Sequence, residues 1–194
     1  MMRIGLLCAC LCLGSIGYAA DSKTILSKSD LEAAPDLPKY LKLRNDYAER
    51  FSGGWFTNRE RQAFMKLYDT DKRAFLERSK AWLRRCPIDA KVHMMRALLL
   101  TDPSQAAEKR YHKTMFFGLM DSLFATGNGT SCQSGYYAVN INEEYVLLNA
   151  IGAEPLRNRV HGSCDVIDVK LDGKRTTVCF EMSRWFAAIR KEEH

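Results

Sequence analysis

The chain predicts an α+β protein: an N-terminal layer of helical hairpins over about residues 40–126, packed on a small, mainly antiparallel C-terminal sheet over about 136–182. Three observations carry this. Apolar residues recur at helical spacing through the first stretch, the period shortens towards two after Gly127, and Asp172-Gly173 separates two alternating runs with a strong hairpin-turn signal.

The elements follow in order. Residues 1–19 carry Arg3, an apolar run from Ile4 to Ile16 and the small-residue step Gly17-Tyr18-Ala19, which read as a secretory signal too short to span a bilayer. A rival reading takes Leu7-Cys8-Ala9-Cys10 as a lipoprotein cleavage site and anchors the chain through a lipid at Cys10, with only Ile4–Leu7 as the apolar run before it. Residues 20–39, closed by Pro35 and Pro38, read as a tether, and 40–194 as a single domain with no transmembrane segment. Tyr40, Leu43 and Tyr47 start the helical layer, and Ser52-Gly53-Gly54 breaks it. Asn58 precedes a short helix bearing Phe64, Leu67 and Tyr68. Asp69 or Thr70 caps another with Phe75, Ser79, Trp82 and Cys86 on one face, ended by Pro87. Asp89 caps a helix with Val92, Met95, Ala97 and Leu99 inward. The longest helix, Ser104 to Thr126, directs Ala107, Tyr111, Met115, Leu119 and Phe124 to the core and stops at Gly127.

Beyond Gly127, residues 136–141 alternate as a strand, and Asn140 with Glu143 forms a capping box for a helix over 143–151. Leu156–Val160 is a further strand. A two-residue loop at Asp172-Gly173 pairs Leu171 with Lys174, Val169 with Thr176, Ile167 with Val178 and Asp165 with Phe180. Ile167, Val169, Leu171, Val178 and Phe180 then share the buried face, while Asp168, Lys170, Arg175 and Thr177 face outward. A last helix over 183–193 sets Trp185, Phe186 and Ile189 on one side.

Net charge is a mild +6, and the basic run Lys72–Arg85 is interleaved with Asp69, Asp71 and Glu77, so no nucleic-acid stripe is expected. Once the signal is removed, Cys86, Cys132, Cys164 and Cys179 remain, an even number that suggests two disulfides in an oxidising compartment. Cys164 with Cys179 would be a diagonal pair in the hairpin, with Cα atoms about 7–8 Å apart, too far for a bridge. Cys132 is the better partner for one of them. His161, Cys164 and Asp165 bring an imidazole, a thiol and a carboxylate into one turn, yet successive strand residues point to opposite faces. Glu143 and Glu144 could serve acid–base chemistry, but acids in a first helical turn more commonly offset the helix dipole. His93 and His112 have no ligand at i+4, so no metal or other cofactor is expected. Trp55-Phe56, after a Gly-Gly loop, is a candidate contact anchor.

The ordered blocks Tyr40-Leu41-Lys42-Leu43-Arg44, Cys86-Pro87-Ile88-Asp89, Tyr111-His112-Lys113 with Leu119–Leu123 and Gly127-Asn128-Gly129, Val139–Tyr145 and His161–Asp165 resemble the uncharacterised secreted bacterial family of domain of unknown function 4919. The resemblance spans about Tyr40 to Met182 and implies a bacterial envelope setting, periplasmic or secreted, with no activity to carry over. It leaves the disulfide role of Cys132, Cys164 and Cys179 peculiar to this chain. The reading that follows is a non-enzymatic interaction module of the cell envelope that binds another protein or an envelope component, an immunity-type inhibitor being one form. Its interaction candidates are Trp55, Phe56, Asp168, Lys170 and Arg175. The alternative is a small hydrolase or transferase using His161, Cys164 and Asp165 with Glu143 or Glu144.

Overall fold

The computed structural model describes residues 17–21, 24–27, 31, 33–50 and 59–192. Strands β1 (Gly17–Asp21) and β2 (Thr24–Ser27) form an antiparallel hairpin. The helical layer comprises α1 (Leu37–Arg50), α2 (Arg59–Met65), α3 (Leu67–Thr70), α4 (Lys72–Arg85), α5 (Ala90–Leu99) and α6 (Ala106–Phe124). After β3 (Tyr136–Tyr137) come α7 (Ile141–Ala150), β4 (Glu154–His161), β5 (Cys164–Leu171), β6 (Lys174–Glu181) and α8 (Ser183–Glu192). The stretch read as a tether thus contains β2, which lies with β1 against α5, and the first turn of α1. Among the described residues no helix is long and apolar enough to cross a membrane.

Local chemistry explains the helices. On α1, Tyr40, Arg44 and Tyr47 are buried along one face. Tyr40 sits where only a glycine admits it: a Cβ on Gly118 of α6 would stand 2.3 Å from its ring. Asp71, one residue beyond the expected cap, accepts from the Ala74 N–H to start α4, and Arg84 and Arg85 occupy its last turn, where cations offset the dipole. Asp89 caps α5 through the Val92 N–H, as expected. The run Val92–Leu98 is wholly buried, which makes α5 the central helix.

On α6 the expected face is corrected by one residue: Tyr111 is 55% exposed and His112 is buried. Ala107 is likewise exposed. The reason is polar, because His112 is drawn inward by Arg96 of α5. Farther along, α6 is buried nearly all round from Met115 to Met120, so its apolar pattern does not define a stripe.

The sheet runs β3-β6-β5-β4, with β4/β5 and β5/β6 antiparallel and β3 parallel to β6. It is therefore mixed, not purely antiparallel. The strand expected over 136–141 shrinks to two residues, because Asn140 turns the chain by accepting from the Asn142 and Glu143 N–H groups to open α7. The β5/β6 register matches the expected one at every pair, from Leu171 opposite Lys174 to Asp165 opposite Phe180. Asp172 (φ 50°) and Gly173 (φ 77°) close it, both left-handed, as the favoured hairpin turn requires. Ile167, Val169, Val178 and Phe180 are buried, and Leu171 half-buried, in the core shared with Phe116, Leu119 and Leu147. Each such side chain contributes about 1.5–3 kcal/mol by leaving water.

Candidate functional site

The turn sets His161 directly opposite Cys164 on adjacent strands but leaves Asp165 on the other face, so the three do not converge. Cys164 is bonded to Cys132, with Cα atoms 5.6 Å apart, so its sulfur is not a nucleophile. His161 is exposed at the end of β4, and Asp165 is buried on the opposite face of β5 from Cys164. The expectation of two disulfides is corrected to one. Cys86 is a free thiol in the helical core, where burial pushes its pKa up, and Cys179 is a free thiol on β6.

Glu143 and Glu144, adjacent in sequence, separate into two buried networks. The Glu143 carboxylate takes both forks of the Arg44 guanidinium, at 2.9 and 2.8 Å, and accepts from the Val139 N–H at 2.9 Å. The expected capping box is thus modified, since Glu143 reaches back to Val139 instead of Asn140. Arg44 also donates to the carbonyls of Ser122 and Tyr137. One guanidinium thereby ties α1 to the end of α6, to β3 and to α7.

Glu144 is fully buried against Asp165. As two carboxylates neither can donate, and both Glu144 oxygens and Asp165 Oδ1 would be orphaned; a proton on Glu144 turns the contact into a hydrogen bond. Burial, then Asp165, then Glu143 push the Glu144 pKa up to about 9. Asn158 of β4 donates to the other Asp165 oxygen at 3.3 Å.

A third network joins α5 to α6, so its two histidines are not paired at i+4 along either helix. Arg96 on α5 donates to His112 Nε2 at 2.8 Å, and a guanidinium only donates, so the His112 proton sits on Nδ1. It is given to His93 Nδ1 at 2.8 Å, which leaves His93 Nε2–H for the Pro87 carbonyl at 3.1 Å. All four ring nitrogens are engaged, so the pair is a structural relay and offers no lone pair to a metal. Desolvation, opposed for His93 by the Pro87 carbonyl and reinforced for His112 by His93 and Arg96, lowers their pKa values to about 4 and about 3. Beside it Asp89 binds Arg61 and the Trp82 indole N–H. Burial alone would raise the Asp89 carboxyl, but Arg61 and these hydrogen bonds outweigh it and hold it below the usual range.

These shifts set a pH profile. The histidines bind protons more weakly folded than unfolded, so stability is lost as pH falls from 6.5 through about 4 and 3. Glu144 binds its proton more tightly folded, so its contribution is complete below 4.5 and is lost as pH rises through about 9. Urea midpoints across pH should peak in the mid-range. Glu144→Gln, which donates without needing a proton, should flatten the alkaline limb and gain about 2 kcal/mol at pH 8; an unchanged slope would refute the shared proton.

The outward sheet face brings the interaction candidates together. Arg157 lies opposite Asp168, Glu154 opposite Lys170, and Lys170 directly opposite Arg175. Asp168 is ion-paired to Arg159 at 2.5 Å. Leu156, Arg157, Asp168, Arg175, Thr176 and Thr177 line a shallow groove of about 530 Å³ here. Trp55 and Phe56 lie outside the described residues. A separate cleft of about 520 Å³, not foreseen from the sequence, is lined by Tyr68, Lys91, Met95, Asn142, Tyr145 and Asn149, among others. Asp69 is the one carboxylate among its described lining residues, so paired-carboxylate chemistry is not available there.

The model of one family, described as Domain of unknown function (DUF4919), matches residues 40–191. The chain belongs to that family. No curated protein and no solved structure matches it.

Proposed function

We propose that this member of the domain of unknown function 4919 family is a non-catalytic interaction module of the bacterial cell envelope, exported to the periplasm or beyond. It engages an acidic segment of a partner protein or envelope component through the outward sheet face. One observation carries the reading: Lys170 and Arg175 stand directly opposite each other on adjacent strands, and like charges so placed destabilise a hairpin, with Glu154 across from Lys170 on β4 the one acid set against the pair in the register. Both are exposed, and Arg157 and Arg159 lie on the same face, with Arg159 already occupying Asp168. An anionic partner relieves that repulsion, and charge complementarity of this kind speeds encounter and sets register. The signal-like N-terminus and the Cys132–Cys164 disulfide support an oxidising compartment. An immunity-type inhibitor that covers a basic-recognising or acidic surface of a toxic effector is one form such a module takes.

The test is affinity capture from envelope extracts of its own source, with the tagged protein and its Lys170→Glu/Arg175→Glu variant in parallel. A stoichiometric species should be held by the first, released by added salt and lost from the second. Equal recovery by both, or no enrichment by either, would refute this surface.

A further inference from the structure

Cys132, Cys164 and Cys179 come from three separate segments, yet their sulfur atoms all lie within 4.8 Å of one another. Two are joined as the disulfide, and the third, Cys179, is a buried free thiol beside it. The grouping does not depend on the bridge. The loop that carries Cys132 is held against β6 by the backbone, with the Cys179 N–H donating to the Gly129 carbonyl at 2.9 Å. The loop is closed on itself by the Asn128 and Gly129 N–H groups, which both donate to the Ser134 carbonyl at 2.9 Å. Gly135 presses close to the same strand, where a Cβ would stand 3.1 Å from the Cys179 carbonyl oxygen. Cys164 and Cys179 are fixed by the β5/β6 register on one face. Breaking the disulfide therefore leaves three thiols converging on one point.

We propose that the reduced protein binds one soft monovalent metal ion, of the Cu(I) class, through the sulfurs of Cys132, Cys164 and Cys179, and that this state and the disulfide exclude each other. Three sulfurs at about 2.3 Å from a central ion stand about 4.0 Å apart in a trigonal plane, so once reduced the Cys132 and Cys164 sulfurs have only to part from bonding distance while the trio stays inside its present span of 4.8 Å. Thiolate ligands select Cu(I) over harder ions. Cys164 and Cys179 are buried while Cys132 is only half-buried, which gives the ion an entry side. The chemistry balances: a dithiol gives two electrons and two protons to the Cys132–Cys164 bond and becomes a disulfide itself. Cu(I) then displaces three thiol protons to solvent without changing oxidation state.

The experiment uses the full mature chain, oxidised and phosphine-reduced, titrated with Cu(I) against bicinchoninate, with X-ray absorption to count sulfur neighbours. The reduced protein should take one Cu(I) with three sulfur ligands, and the oxidised protein none at the same competitor concentration. Cys179→Ser should weaken the reduced site by more than about a hundredfold, since loss of a mere outer-shell partner already costs ten- to a hundredfold. Cys132→Ala, a substitution in a half-buried loop that leaves the sheet intact, should do the same. Reduced variants that match the parent, or a reduced parent that leaves copper with the competitor, would overturn the site.

Discussion

Replacing Arg44 by alanine should cost about 3–5 kcal/mol, a large part of what holds a domain of this size folded. The guanidinium is 1% exposed and satisfies the Glu143 carboxylate and two carbonyls at once. Its loss leaves a buried carboxylate with only the Val139 N–H as a partner. Lys42→Ala, two residues away, is the internal control. Its pair with Asp46 is an i,i+4 contact with the lysine side chain 74% exposed, so it should cost less than about 0.5 kcal/mol. Urea denaturation of both variants checks this, and a mild effect at Arg44 would mean the network is not a keystone of the fold.

Val178→Asp should unfold the protein, whereas Thr177→Asp should cost under about 1 kcal/mol. Val178 is 6% exposed and faces Ile167 in the core, while its neighbour points to solvent opposite Asp168. A carboxylate at 178 would have no partner there and must either stay neutral or open the sheet. Thermal melts decide it. Equal destabilisation, or the reverse order, would require the hairpin to pair one residue out of step.

That register was legible because the Asp-Gly turn and the alternation on either side specify the same pairing. Cys132 was identifiable as a bridge partner for the same reason, since the register rules out Cys164 with Cys179. The buried networks were not legible. Arg44 meets Glu143 across 99 residues of sequence, and His93 meets His112 across 19, distances at which no local pattern reports. On its own helix His112 meets only Glu108, one turn earlier at 3.6 Å, and the ring-to-ring contact is hidden because the relay runs between α5 and α6. Glu144 was identifiable only as a first-turn acid, since its partner Asp165 arrives from the sheet. The face of α6 was misjudged where a polar residue, His112, is buried and an aromatic one, Tyr111, is not.

Strand β4 is the open edge of the sheet, and every one of its eight residues is exposed, Val160 and Leu156 included. A bare apolar edge of this length is a template on which a second copy could add its own strand and seed a fibril. Here polymerisation meets three obstacles. Pro155 has no N–H to give, the register slips between Pro155 and Arg157, and copies added edge to edge would bring Arg157 and Arg159 against their own kind. The arginines that make this face a candidate for recognition are thus also what keeps the chain from recognising itself.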